Sequence, residues 1–309
     1  MVEPGDVIDR FIVEERLGEG ATATVYRVRH RELGGRSALK LLNQRQGGLR
    51  DRFVSEGRAQ SRVRHPNIVA VHDLVEDSEG FPGLVMDYID GPDLATLLER
   101  ERPTLDEALE LFRGIVTGMA HAHLHGLVHR DLKPENILLA RTPEGMQPRV
   151  TDFGLVKGPG VGDGQTLTGV ALGTPPYMSP EQIRDSSDVD KRTDMWSLGC
   201  ILYELTEGRR PFEGDMFELF GSIASGTYAA PKCPNKRVRK AVAGLLQVRP
   251  ERRIADCETL LRLLDDGVEP PPPPAVDLDE APSKPARRWW IPAGLVLIGL
   301  AAVGVATLA

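Results

Sequence analysis

His129-Arg130-Asp131-Leu132-Lys133-Pro134-Glu135-Asn136, followed downstream by Asp152-Phe153-Gly154, is the stretch whose reading decides the fold. Two short clusters of acidic, basic and amide side chains in this order and spacing do not arise by chance. Working outward toward the N-terminus, Gly18-Glu19-Gly20-Ala21-Thr22-Ala23-Thr24-Val25 lies between two predicted strands. Glycines in such a turn let backbone N–H groups approach phosphate oxygens with no Cβ in the way. The strand-loop-strand setting disfavours a dinucleotide fold, in which a glycine-rich motif leads from a strand into a helix. Next comes Ala38-Leu39-Lys40, a lysine at the end of an apolar strand, able to reach phosphates as a point charge. Glu56, on the following predicted helix, is the expected ion-pair partner of Lys40.

Coarse patterning supports a two-part domain. Residues 11–17, 24–29, 37–42, 69–74 and 83–88 read as strands, and residues 51–63 as a helix between the third and fourth of them. From Leu94 onward the chain reads as mainly helical, as over residues 105–125 and 194–207.

With these landmarks in place, the chain resembles the eukaryotic-type serine/threonine protein kinases, and the resemblance covers residues 10–265. It implies an α+β, two-lobed protein kinase fold: a small β-rich lobe over about residues 10–88 and a helical lobe over about 89–265. The implied activity is transfer of the γ-phosphate of ATP to Ser/Thr hydroxyls of protein substrates. Asp131 is then the group that accepts the hydroxyl proton, and Lys133 neutralises charge on the moving phosphoryl group. Asn136 and Asp152 supply the oxygen ligands for Mg2+, with Mn2+ as an alternative ion. Lys133, two residues after Asp131, is the serine/threonine variety of this motif. The resemblance also assigns ATP contacts to Leu17, Gly18, Glu19, Gly20, Ala21, Thr22, Ala23, Thr24, Val25, Ala38, Lys40 and Glu56. Met86 stands at the gatekeeper position, Asp87 and Ile89 belong to the hinge, and Leu138 forms the floor beneath adenine.

Other landmarks fall in the family's order. Gly173-Thr174-Pro175-Pro176-Tyr177-Met178-Ser179-Pro180-Glu181 resembles the substrate-docking loop, and Arg253 is placed to pair with Glu181. Asp194-Met195-Trp196-Ser197-Leu198-Gly199 resembles the helix supporting the catalytic loop. Four positions depart from the pattern: Ala23 for the third loop glycine, Asp87 for Glu, Ser179 for Ala and Arg249 for Asp. The rival reading, a pseudokinase scaffold that binds ATP without turnover, is disfavoured because Lys40, Asp131, Asn136 and Asp152 are all present. His121, His123 and His125 read as residues of a helix end rather than as a metal site. Thr166 and Thr168, in a glycine-rich segment ahead of Gly173, are the expected autophosphorylation sites, with Arg130 and Lys157 to receive the phosphate.

The bulk properties agree. The 309 residues carry a formal net charge of −7, which argues against nonspecific nucleic-acid binding. Three cysteines without a C-x-x-C pair suit a reducing compartment. No secretory signal opens the chain, because Glu3, Asp6, Asp9 and Arg10 interrupt the stretch that would have to be apolar. Residues 266–288 include a run of five prolines and several charges, the composition of a semi-rigid spacer and a candidate polyproline ligand. Residues 289–309, WWIPAGLVLIGLAAVGVATLA, contain no charge and at about 1.5 Å per residue would reach about 31 Å, enough to cross a hydrocarbon core. Lys284, Arg287 and Arg288 precede this stretch and Trp289 and Trp290 open it. The expectation is a single C-terminal span in the cell (inner) membrane with the kinase domain cytoplasmic. Such an enzyme either ends as a tail-anchored protein or is a fragment of a longer one, and pairing of two copies would permit autophosphorylation.

Overall fold

Alternation along residues 38–42 shows how the small lobe is built. Leu39 and Leu41 enter an apolar cluster with Phe11, Val13, Tyr26, Val28 and Val85 on one face of a sheet. Ala38 and Leu42 enter a second cluster on the other face, with Phe53, Val71, Leu84 and Met86. A strand with side-chain period two must serve both faces when both are covered. The computed structural model describes residues 2–44, 48–143, 145–154, 175–184 and 189–266.

The sheet has six antiparallel strands in the order β1-β2-β3-β4-β6-β5: β1 (Val7–Ile8), β2 (Phe11–Glu19), β3 (Ala23–His30), β4 (Arg36–Leu42), β5 (Val71–Glu76) and β6 (Pro82–Asp87). Helix α1 (Leu49–Ser61) packs on β5 and β6 through Phe53 and Gly57. A Cβ at Gly57 would strike Leu84, so the absent side chain sets how closely α1 approaches the sheet. The predicted strand at 69–74 is displaced to β5 because Ile68 and Val69 pair with Val150 instead.

The helical lobe comprises α2 (Leu94–Arg100), α3 (Leu105–Leu124), α4 (Pro180–Arg184), α5 (Arg192–Glu207), α6 (Met216–Ser225), α7 (Lys236–Leu245) and α8 (Cys257–Asp266). Thr104 and Glu107 close a reciprocal capping box that starts α3. Helix α5 is apolar on nearly all sides and buried from Thr193 to Thr206 except at Glu204, so it forms the axis of the lobe core. A hairpin, β7 (Ile137–Thr142) with β8 (Gly145–Val150), interrupts the helices. The sequence reading of this region as mainly helical missed it, because Leu, Ala, Arg, Met and Gln favour helices and only strand pairing overrides them.

Among the described residues no helix is long and apolar enough to cross a membrane. The expected spacer beyond Asp266 and the expected span over residues 289–309 lie outside the described residues.

Candidate active site

The catalytic stretch is held from beneath by the buried carboxylate of Asp194, at the start of α5. Its Oδ2 accepts the backbone N–H of His129 at 2.9 Å and its Oδ1 accepts that of Arg130 at 2.9 Å. Arg130 adopts φ 64°, a left-handed conformation uncommon for a residue with a Cβ, and these hydrogen bonds keep it there. Gln182 of α4 donates to the Arg130 carbonyl at 2.7 Å, fixing the next peptide, between Arg130 and Asp131. Beyond this turn, Lys133 Nζ lies 3.5 Å from Asp131 Oδ2. Asn136 Nδ2 donates to the Asp131 carbonyl at 2.8 Å.

The second cluster is clamped to the first. His129 is fully buried, its Nε2 lies 2.9 Å from the Thr151 carbonyl, and its ring packs against Phe153 at 4.8 Å. Burial holds the His129 pKa down, outweighing the opposite pull of Asp194, so the ring stays neutral. Gly154 donates to the His129 carbonyl at 3.1 Å with φ 35°. Asp152 itself takes φ 60° and presents its carboxylate to Lys40, Nζ to Oδ1 at 2.8 Å. Burial pushes the Asp152 pKa up, but the charge and hydrogen bond of Lys40 outweigh it and keep the carboxyl below its usual range.

Here the structure corrects one expectation. Lys40 pairs with Asp152, not with Glu56. Glu56 Oε2 is buried without a hydrogen-bond partner among the described residues. Burial raises its pKa to about 7, against the opposing charges of Arg130, Lys40 and Arg52. A carboxyl that is half neutral near pH 7 offers Lys40 less than the ionised Asp152 does.

The residues expected to contact adenine lie together. Ala38 and Met86 are buried in one apolar cluster, and Val25, Ile89 and Leu138 pack against it. Register explains this: Val25 is opposite Lys40 and Ala38 opposite Met86, so strand alternation turns the same side chains to one face. The hinge Asp87 points its carboxylate away, toward His72 Nε2 at 2.6 Å, Arg149 Nη1 at 3.3 Å and the Ala70 N–H at 3.3 Å. Sequence reading did not find His72 or Arg149, which meet Asp87 only through strand pairing and the β7–β8 hairpin.

Leu17, Gly18 and Glu19 lie on β2, and Ala23, Thr24 and Val25 on β3. The turn between them closes with Gly20 N–H to the Ala23 carbonyl at 2.9 Å. Ala23 is buried and pairs with Leu42, which puts it on the same face of the sheet as Val25 and Lys40. Two residues that sequence reading missed tie the loop down: Asn43 Nδ2 donates to the Gly20 carbonyl at 3.3 Å and Gln44 Nε2 to the Ala21 carbonyl at 2.5 Å. Polar side chains just past a strand facing the loop were the available signal.

The predicted Arg253–Glu181 pair forms as a two-pronged contact at 2.6 and 2.7 Å, with the Arg253 side chain 0% exposed and stacked over Trp196. Ser179, one of the departures, is buried and finds a partner in Thr193, hydroxyl to hydroxyl at 2.5 Å. His121 stacks on His65 and approaches His125, while His123 turns inward to Asp194. Thr166, Thr168, Lys157 and Thr174 lie outside the described residues.

The donor set suits a hard cation. With Nδ2 engaged, Asn136 keeps its amide oxygen, and Asp152 keeps the carboxylate oxygen not held by Lys40.

Residues 11–262 match the family model described as protein kinase domain. The chain is 40% identical over 210 residues to the serine/threonine-protein kinase PknL of Mycobacterium tuberculosis, covering 67% of this chain and 51% of that protein. It is 39% identical over 223 residues to a probable serine/threonine-protein kinase of Streptomyces coelicolor, covering 70% and 32%. Against a calcium/calmodulin-dependent protein kinase type II of Caenorhabditis briggsae it is 35% identical over 260 residues, covering 82% and 48%. The chain thus spans a third to a half of the length of these curated relatives. A crystal structure of Rad53 1-466 in complex with AMP-PNP is similar with a TM-score of 0.69 and 30% identity, over 82% of this chain and 64% of that one.

Proposed function

The chain belongs to the protein kinase family, and from that premise we propose that it transfers the γ-phosphate of ATP to serine and threonine hydroxyls of proteins. The observation that carries this reading is convergence. Lys40 of β4, Asp131 and Asn136 of the catalytic stretch, and Asp152 meet around one cleft although the sequence separates them widely. The adenine ring would lie in the cluster of Val25, Ala38, Met86, Ile89 and Leu138, with Lys40 and the Gly18–Gly20 turn at the phosphates. Asn136 and Asp152 would hold Mg2+, which when bound neutralises charge on the phosphates.

Asp131 accepts the proton as the substrate hydroxyl oxygen forms its bond to the γ-phosphorus. The bond from that phosphorus to the β–γ bridging oxygen breaks, and ADP leaves with the electron pair. Lys133, beside Asp131, stabilises charge on the phosphoryl group in flight. The test is phosphate transfer by the full chain with ATP and Mg2+ to a generic basic protein. Asp131→Asn should remove most of it, and full activity in that variant would overturn the assignment.

Autophosphorylation at Thr166 or Thr168 is part of the same proposal. It is supported by Arg130, whose Nε is buried without a hydrogen-bond partner among the described residues and so can take an anion. Mass spectrometry of active enzyme, with rates for the Thr166→Ala/Thr168→Ala double variant, decides it. A double variant as fast as wild type would remove the switch. The uncharged residues 289–309, preceded by Lys284, Arg287 and Arg288, support tethering to the cell membrane with the catalytic domain on the cytoplasmic side.

A further inference from the structure

Three successive carbonyls of the glycine-rich turn are held by two neighbouring residues, Asn43 and Gln44, the first two beyond β4. Asn43 Nδ2 donates to the Gly20 carbonyl at 3.3 Å, Gln44 Nε2 to the Ala21 carbonyl at 2.5 Å and the Asn43 backbone N–H to the Thr22 carbonyl at 2.9 Å. Strand register brings them there. Ala23 lies opposite Leu42, so the residues after Leu42 run beside the turn that precedes Ala23. Core packing does not account for either side chain, since Asn43 is exposed and Gln44 half-buried.

The bonds fix more than the carbonyls. Every peptide bond of the described residues is trans, and in a trans peptide the C=O and the following N–H point in opposite directions. Holding the carbonyls of Gly20, Ala21 and Thr22 therefore holds the N–H groups of Ala21, Thr22 and Ala23 on the opposite side. The Gly20 N–H is engaged within the turn, on the Ala23 carbonyl.

A turn of glycine and small residues can otherwise rotate a peptide at little cost. A rotated peptide would show a carbonyl oxygen to the phosphates, and oxygen repels an anion. Successive backbone N–H groups facing one way make a concavity that attracts it. Asn43 and Gln44 carry no charge, so they act on a phosphate through the turn and not by direct attraction. Ala23 needs no glycine's freedom in this arrangement, because its φ is not positive.

We propose that Asn43 and Gln44 are positioning residues for the nucleotide, holding the carbonyls of the glycine-rich turn back so that its N–H groups are preset for the phosphates. This rests on the kinase reading above. It gives the segment just past β4 a part in ATP affinity, although neither amide touches ATP in this reading.

The test uses the Asn43→Leu/Gln44→Met double variant of the full chain, which keeps side-chain size and removes both side-chain donors. Calorimetric titration with AMP-PNP and Mg2+ is set beside titration with adenosine, which has no phosphate. Kd for AMP-PNP should rise about fivefold or more, in line with the loss of two solvent-accessible hydrogen bonds, while Kd for adenosine stays within about twofold. Equal weakening of both ligands would mark general damage to the small lobe and overturn the proposal. Unchanged AMP-PNP binding overturns it too, and tighter binding would show that the bonds hold the turn off the nucleotide. Should the double variant fail to fold, Gln44→Met alone carries the same comparison, with a rise of about threefold expected for AMP-PNP only. In steady-state kinetics KM for ATP should rise with kcat within about twofold, because the phosphates are held alike before and during transfer. A fall in kcat at unchanged KM overturns the proposal. A wild type that binds both ligands and transfers no phosphate would count against the kinase reading alone.

Discussion

Lys40 and Asp152 lie 112 residues apart in the chain and are joined by an ion pair of 2.8 Å across the cleft between the lobes. The pair keeps an ionised carboxylate and a positive charge where a nucleotide's phosphates and their cation would sit. Lys40→Met and Asp152→Asn should each lower kcat/KM by at least about a hundredfold, the usual cost of losing a charge that acts in the transition state. Because the two side chains touch, the double variant should lose less than the product of the single losses. Strictly multiplicative losses in steady-state kinetics would show that they act independently.

Glu56 makes stability depend on pH. Its carboxyl titrates near 4.5 when the chain is unfolded and is pushed up to about 7 by burial in the native state. Between these values the folded state binds more protons than the unfolded one, so stability falls as pH rises from about 4.5 to about 7 and is level above. Glu56→Gln lacks this charge. The difference in thermal midpoint between variant and wild type should therefore move in favour of glutamine across that window. A difference that does not vary with pH would contradict the assignment.

Arg253 is fully buried against Glu181, with further donors spent on the Gln247 and Arg192 carbonyls. Arg253→Leu strands the Glu181 carboxylate and should cost about 3–5 kcal/mol in denaturant unfolding. Adding Glu181→Leu should restore part of that stability, since no buried charge then remains unpaired. A double variant weaker than the single one would argue that packing, not charge, dominates.

Gly91 follows the hinge and passes directly over β7. A Cβ there would overlap the Leu139 carbonyl oxygen, and backbone cannot swing aside as a side chain can. Gly91→Ala should push the hinge away from Leu138 beneath the adenine position, raising KM for ATP by about tenfold, roughly 1.4 kcal/mol. Unaltered KM in a folded variant would show that the hinge absorbs the methyl elsewhere.

Deleting residues 287–309 should move the protein from the membrane to the soluble fraction while phosphate transfer persists. Sedimentation with membranes after a salt wash would show that another segment anchors it.

How much of this was legible in the sequence differs by kind of residue. Asp131, Lys133, Asn136 and Asp152 could be read directly, because each belongs to a short run whose chemistry is local. The apolar set of Val25, Ala38, Met86, Ile89 and Leu138 was accessible only through the family resemblance, and the structure gathers it in one cluster. Three things needed the tertiary structure. The partner of Lys40 is one, because the choice between Glu56 and Asp152 depends on how far burial has neutralised each carboxyl. The β7–β8 hairpin is another, since helix-favouring residues become strands only when a partner strand is present. The third is the set of buried contacts made by Asp87, Asp194 and His123, which join segments far apart in the chain. Composition and motif fix which groups are available for chemistry. Which buried charge meets which donor is decided by desolvation and chain crossing, and those exist only once the lobes have packed.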